Sequence, residues 1–198
     1  MRRPRPRSEP DPVTTHAPLR GEAKLRAALY GFEVRVTDRV CLDLGAAAGG
    51  FTRVLLEAGA SRVYAVDAGF GQLLGSLRQD PRVINLEATN VAVLDVHLVP
   101  DVIELVTIDV SYLALAAAVG QLDRIAIAPD ADLIGLVKPM FELRLATAPT
   151  DLARVDEATE RAALGINAAG WEVIGAMPSP VVGGRGAVEA LVHARRSS

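Results

Sequence analysis

The chain has 198 residues, half of them hydrophobic and 23% charged, with a formal net charge of −3. That length suits one well-buried domain and is short for two. A lone cysteine, Cys41, cannot form an internal disulfide, and no apolar run approaches the roughly 20 residues needed to cross a bilayer. Both observations argue against secretion and membrane spanning, and point to a reducing cytoplasm.

Residues 1–18 form a basic arm rich in Arg and Pro that cannot bury apolar surface; it is expected to be disordered and able to touch phosphates nonspecifically. Up to residue 26 the net charge is plus four, so the remainder carries minus seven. The domain proper is expected over 19–198. Leu25, Ala28, Leu29 and Phe32 stand at helical spacing and predict a helix over 21–32. Apolar runs and turn signals then predict strands over 39–44, 62–67, 83–86, 105–109 and 132–138. Helices are expected over 50–58, 71–79, 113–122 and 151–169, the last stopped by Gly170. A strand over 171–176, a Pro/Gly loop over 178–186 and a final strand over 188–194 complete the chain.

Strands separated by helices predict an α/β fold with a parallel sheet and helices on both faces. The last two strands leave no room for a crossover helix and must pair antiparallel. A mostly parallel seven-stranded sheet with an antiparallel last strand is the arrangement of Rossmann-like methyltransferases.

The segment VCLDLGAAAGGF, residues 40–51, leaves its strand through residues with almost no side chain, and a helix follows directly. Backbone N–H groups in such a loop can approach a ligand, and the helix N-terminus points the same way. Gly45, Ala46, Gly49 and Gly50 are therefore expected to line a cofactor. Asp67 closes the next strand, where a carboxylate can accept both hydroxyls of a ribose. The spacing lacks the second glycine of the dinucleotide fingerprint, which suits S-adenosyl-L-methionine, a ligand without a pyrophosphate. A dinucleotide, or a tight turn with no ligand, remains the alternative at this point. Glu87 and Asn90 follow the third strand and are expected near adenine, or else as ordinary loop residues. His16, His97 and His193 are scattered without a cysteine partner, so no metal site is expected.

Among 21 cationic residues only Lys24 and Lys138 are lysine. An ammonium can lose its proton, whereas a guanidinium practically never does. Lys138 and Asp109 end strands predicted to be neighbours, at the edge of the sheet that faces the ligand crevice. Glu189, beginning the last strand, can join them.

The segments RGEAKL, CLDLGAAAGGFT, VYAVDAGFGQL, LRQDPRV, EATNV, TIDVSYL, LVKPMFE and MPSPVVGGRGAVEAL resemble the FtsJ-type RNA ribose methyltransferases, and more closely their TlyA branch, whose members are often labelled hemolysins. The resemblance covers about residue 19 to the C-terminus. It implies a catalytic tetrad of Lys24, Asp109, Lys138 and Glu189, S-adenosyl-L-methionine as methyl donor, and the 2′-hydroxyl of ribosomal RNA as acceptor. The implied partner is RNA or a ribosomal subunit, rather than DNA or a membrane. Both lysines fall on tetrad positions, a coincidence expected about once in two hundred random placements among the cations, so the lysine identity is read as functional. Lys138 is then expected to take the hydroxyl proton, Asp109 and Glu189 to hold the lysines, and Lys24 to orient the hydroxyl or a phosphate.

The chain departs from that branch in four places. It carries the Arg/Pro arm where TlyA proteins carry a small RNA-binding module. Met140 replaces the usual Gln after Lys-Pro, Ala187 replaces the Asn ahead of the catalytic Glu, and the segment 143–148 is short. A methyltransferase redirected to a small molecule and a non-enzymatic hemolysin-like protein are the competing readings.

Overall fold

In this computed structural model, which describes residues 18–147 and 149–197, seven strands make one sheet. The basic arm expected over 1–18 lies outside the described residues, Pro18 excepted. The strands are β1 (Val40–Leu44), β2 (Arg62–Val66), β3 (Val83–Leu86), β4 (Ile103–Ile108), β5 (Ile127–Val137), β6 (Trp171–Pro178) and β7 (Ala190–Arg196), in the order β3-β2-β1-β4-β5-β7-β6. β1 to β5 pair parallel, while β7 runs antiparallel to both β5 and β6. The expected α/β class and mixed sheet are therefore correct. β1, β2 and β4 are almost continuously apolar because helices cover both of their faces.

Two hydrophobic cores lie on opposite faces of this sheet. On one face sit α1 (Arg20–Gly31), α2 (Gly50–Glu57) and α3 (Gly75–Arg78), with Leu25, Ala28, Phe51, Leu55 and Leu77 buried. On the other sit α4 (Leu115–Val119), α5 (Pro139–Glu142) and α6 (Leu152–Ala168). The helical spacing of Val155, Ala158, Ala162 and Ile166 buries one stripe of α6 there.

Three elements differ from their sequence-based bounds by more than two residues at an end. The helix expected over 71–79 shrinks to Gly75–Arg78, because Glu87 Oε1 accepts the N–H groups of Gln72 and Leu73 at 2.6 and 3.0 Å and holds that stretch as a loop. β5 begins at Ile127 rather than at residue 132. Its pairing with β4 shifts register across the segment containing Pro129, so a proline that reads as loop lies inside an irregular strand. The helix expected over 113–122 is confined to Leu115–Val119, followed by a 3₁₀ turn at Leu122–Arg124.

β1 and β4 are neighbours from which the sheet extends in opposite directions, so their carboxyl ends flank a crevice. Leu44 pairs with Ile108, and the Asp109 N–H donates to Leu44 O at 2.8 Å. Gly45 and Asp109 thus leave the sheet side by side.

Candidate functional site

The glycine loop is fastened from below. Gly45 and Ala46 both donate their N–H groups to Val66 O, at 2.9 and 3.0 Å. Gly45 has φ +86°, and a Cβ there would stand 2.6 Å from the Asp109 carbonyl oxygen, so only glycine lets the two strand ends meet. Ala47 is also left-handed, at φ +46°, an unusual conformation for a residue with a side chain. Its N–H donates to Asp67 Oδ2 at 2.8 Å, while Gly69 N–H donates to Asp67 Oδ1 at 2.7 Å. Asp67 therefore spans the glycine loop and its own loop, with a lone pair left on each oxygen.

Beneath this loop lies Asp43, fully buried, which accepts from Thr52 Oγ1 at 2.6 Å and from Thr107 Oγ1 at 2.9 Å. Burial pushes its carboxyl up to about 6, against the opposing pull of the two threonine hydrogen bonds. Through these threonines Asp43 ties the start of α2 to β4.

The four tetrad candidates form two cation–carboxylate pairs. Lys24 Nζ, on α1, reaches Glu189 Oε2 at 2.6 Å, with both side chains buried. Lys138 Nζ, at the end of β5, reaches Asp109 Oδ1 at 2.5 Å, and also donates to Ser111 Oγ at 2.7 Å and Val110 O at 3.0 Å. All four residues line one cavity of about 660 Å³, bounded by Gly45 and Ala47 on the cofactor-loop side and including Met140 and Ala187 in its wall. A smaller cavity of about 180 Å³ shares Gly45, Ala47 and Asp109, and is also lined by Arg20 and Gly21 at the start of α1. These cavities leave room for a ligand along the glycine loop and for a second molecule against the lysines.

Of the expected cofactor residues, Gly45, Ala46 and Gly50 line these cavities, whereas Gly49, Asp67, Glu87 and Asn90 line neither. The Glu87 carboxylate holds Gln72 and Leu73 and accepts from Asn85 Nδ2 at 3.0 Å, contacts that draw its pKa down. Asn90 Oδ1 accepts from Ala92 N at 2.9 Å and starts the 3₁₀ turn Val91–Val93.

Three contributors were not singled out from the sequence. Ser111 faces the cavity two residues beyond Asp109, and its position in TIDVS was the available signal. Glu142 is buried in α5 and accepts the N–H of Leu115, the first residue of α4; in doing so it joins the loop after β5 to the loop after β4. Burial raises the Glu142 pKa. Gly183 backs onto Glu189: a Cβ there would lie 2.2 Å from Oε1 and 2.6 Å from Cδ. Among the described residues no group of three His, Cys, Asp or Glu side chains is placed to hold a metal ion, and no helix is long and apolar enough to cross a membrane.

Comparison with known proteins places this geometry. Residues 18–196 match the family model of FtsJ-like methyltransferases. The 16S/23S rRNA (cytidine-2′-O)-methyltransferase TlyA of Mycobacterium tuberculosis is 40% identical over 181 residues, covering 89% of this chain and 67% of the relative. The solved structure of a candidate hemolysin from Streptococcus thermophilus superposes with a TM-score of 0.85 at 33% identity, over 90% of this chain and 66% of that one. An S-adenosylmethionine-dependent methyltransferase from Mesorhizobium loti, 16% identical, shares the fold with a TM-score of 0.62 over 88% of this chain and 98% of its own. The chain thus spans about two thirds of the length of the mycobacterial and streptococcal proteins.

Proposed function

The chain belongs to the FtsJ-like methyltransferase family, and on that premise we propose that it transfers a methyl group from S-adenosyl-L-methionine to a ribose 2′-hydroxyl of ribosomal RNA. The observation that carries this reading is the pair of lysine–carboxylate contacts, Lys24–Glu189 and Lys138–Asp109, facing one cavity whose wall includes the glycine loop.

The cofactor side fits the donor. Gly45 and Ala47, both left-handed, line both cavities, so the loop meets a ligand there with backbone and a single methyl group rather than with long side chains. Gly45, Ala46, Gly49 and Gly50 are assigned to the methionine end, Asp67 to the ribose hydroxyls through its free lone pairs, and Glu87 and Asn90 to the adenine side. When bound, the donor supplies a methyl carbon made electrophilic by positively charged sulfur. The residues of the chain must then bring a hydroxyl into line with that carbon and take up its proton. Lys138 and Asp109 border both the glycine loop and the acceptor space, which suits them to the proton. Lys24, neutralised by Glu189, orients the acceptor or a neighbouring phosphate.

The acceptor wall carries Met140, Phe141, Pro149 and Ala187, so the nucleoside is gripped through apolar contact more than through hydrogen bonds. The partner is RNA and the site of action the cytoplasm, in keeping with the rRNA substrate for which the mycobacterial relative is named. Transfer of labelled methyl from S-adenosyl-L-methionine to total RNA, compared with a metabolite extract, tests the reading. Label in ribosomal RNA is the expected result. Label confined to small molecules, or no transfer at all, overturns it.

A further inference from the structure

We propose that Ser111 is a catalytic residue of this site, relaying the acceptor's hydroxyl proton to Lys138; the proposal rests on the methyl-transfer reading above.

As an ammonium, Lys138 has three hydrogens and four acceptors within reach: Asp109 Oδ1 at 2.5 Å, Ser111 Oγ at 2.7 Å, Val110 O at 3.0 Å and, more distant, Asp109 O at 3.4 Å. No N–H remains to meet a substrate. As an amine, Lys138 has a lone pair that must face one of those same partners. A backbone carbonyl and a carboxylate carry no hydrogen to offer it, so neither can reverse the direction of its bond. A hydroxyl can, and the Ser111 O–H then donates to Nζ across the same separation. Ser111, Lys138 and Asp109 all line the cavity, but Ser111 is the exposed member of the set, whereas the Lys138 and Asp109 side chains are only 14% and 22% exposed. The short route from an acceptor in the cavity to the lysine nitrogen therefore passes through the serine oxygen.

The step balances with Lys138 entering as the amine. The acceptor O2′ forms its bond to the methyl carbon as the methyl–sulfur bond breaks, and sulfur keeps that electron pair and leaves as a neutral thioether. The O2′ proton passes to Ser111 Oγ while the proton of Ser111 passes to Lys138 Nζ. One positive charge enters on sulfur and ends on nitrogen, and the ammonium returns its proton to water once the products leave. Nothing outside the reactants is consumed.

The composition of the chain supplies an unusual readout. With two lysines in 198 residues, isotopic labelling of lysine gives two side-chain NMR signals, assignable with one Lys24→Arg variant. In the ligand-free protein, Ser111→Ala should shift the Lys138 signal, whose nitrogen loses its hydrogen-bond partner, and leave the Lys24 signal in place. Methyl transfer to RNA should fall roughly tenfold or more in Ser111→Ala, with affinity for S-adenosylhomocysteine held within about twofold, and Ser111→Thr should restore most of it. An unmoved Lys138 signal, or methylation within about twofold of a working wild type, overturns the assignment of Ser111. A wild type that leaves RNA unmethylated instead overturns the functional reading on which the assignment rests.

Discussion

Lys24 Nζ and Glu189 Oε2 lie 2.6 Å apart with both side chains buried, although 165 residues separate them in the chain. This contact ties α1, at the start of the domain, to the residue that enters β7 at its end. Truncating one partner of a buried pair strands the other charge away from water, which costs about 3 kcal/mol or more. Glu189→Ala should lower the urea-unfolding free energy by about that much. The double variant Lys24→Met, Glu189→Met should recover most of the loss, because neither charge is then left unpaired. Both variants should be inactive on RNA.

Gly183 sets the position of that carboxylate. Because an added Cβ would fall 2.2 Å from Glu189 Oε1, Gly183→Ala must displace the carboxylate from Lys24. Methyl transfer is expected to fall roughly tenfold or more, while calorimetric affinity for S-adenosylhomocysteine stays within about threefold, since the glycine loop is untouched. Equal loss of both would place the effect elsewhere.

Asp43 makes stability depend on pH in a predictable direction. Its carboxyl moves from an ordinary 3.8 to about 6 in the folded chain. Between those values the folded state binds more protons than the unfolded state, so this group's contribution to stability falls as pH rises from about 4 to 6 and stays low above that. A shift of roughly two units corresponds to about 3 kcal/mol. In Asp43→Asn, denaturant midpoints at pH 4 and pH 7 should lie closer together than in the wild type.

Asp67 joins donor binding to loop geometry. Asp67→Ala deprives the Ala47 and Gly69 N–H groups of their acceptor and removes the proposed ribose contact. Affinity for S-adenosylhomocysteine should fall by roughly tenfold to a hundredfold, as expected for a lost charge-assisted hydrogen bond. Isothermal titration calorimetry measures it directly.

Short-range pattern made the sheet legible. Apolar runs gave the strands, the short link after Pro178 gave the antiparallel end, and the glycine loop between β1 and α2 marked the ligand side. The scarcity of lysine, together with the family resemblance, drew attention to Lys24 and Lys138, which the structure gathers with Asp109 and Glu189 around one cavity. What escaped depends on contacts made across the fold. The loop over 71–74 looks helical until the Glu87 carboxylate takes its N–H groups, and Pro129 looks like a loop until its bulge is seen inside β5. The roles of Ser111, Glu142 and Gly183 arise from the neighbours that folding brings to them, Lys138 just after β5, Leu115 of α4 and Glu189 just before β7, and none of these leaves a periodic signature.

The central claim is methyl transfer to a ribose hydroxyl, and nucleoside mass spectrometry of ribosomal RNA incubated with the protein and S-adenosyl-L-methionine tests it most directly. The account predicts a nucleoside heavier by one methyl group, carried on the ribose, and absent when Lys138→Ala replaces the wild type. A methyl group on a base, or RNA unchanged by an active preparation that methylates a small molecule, would contradict it.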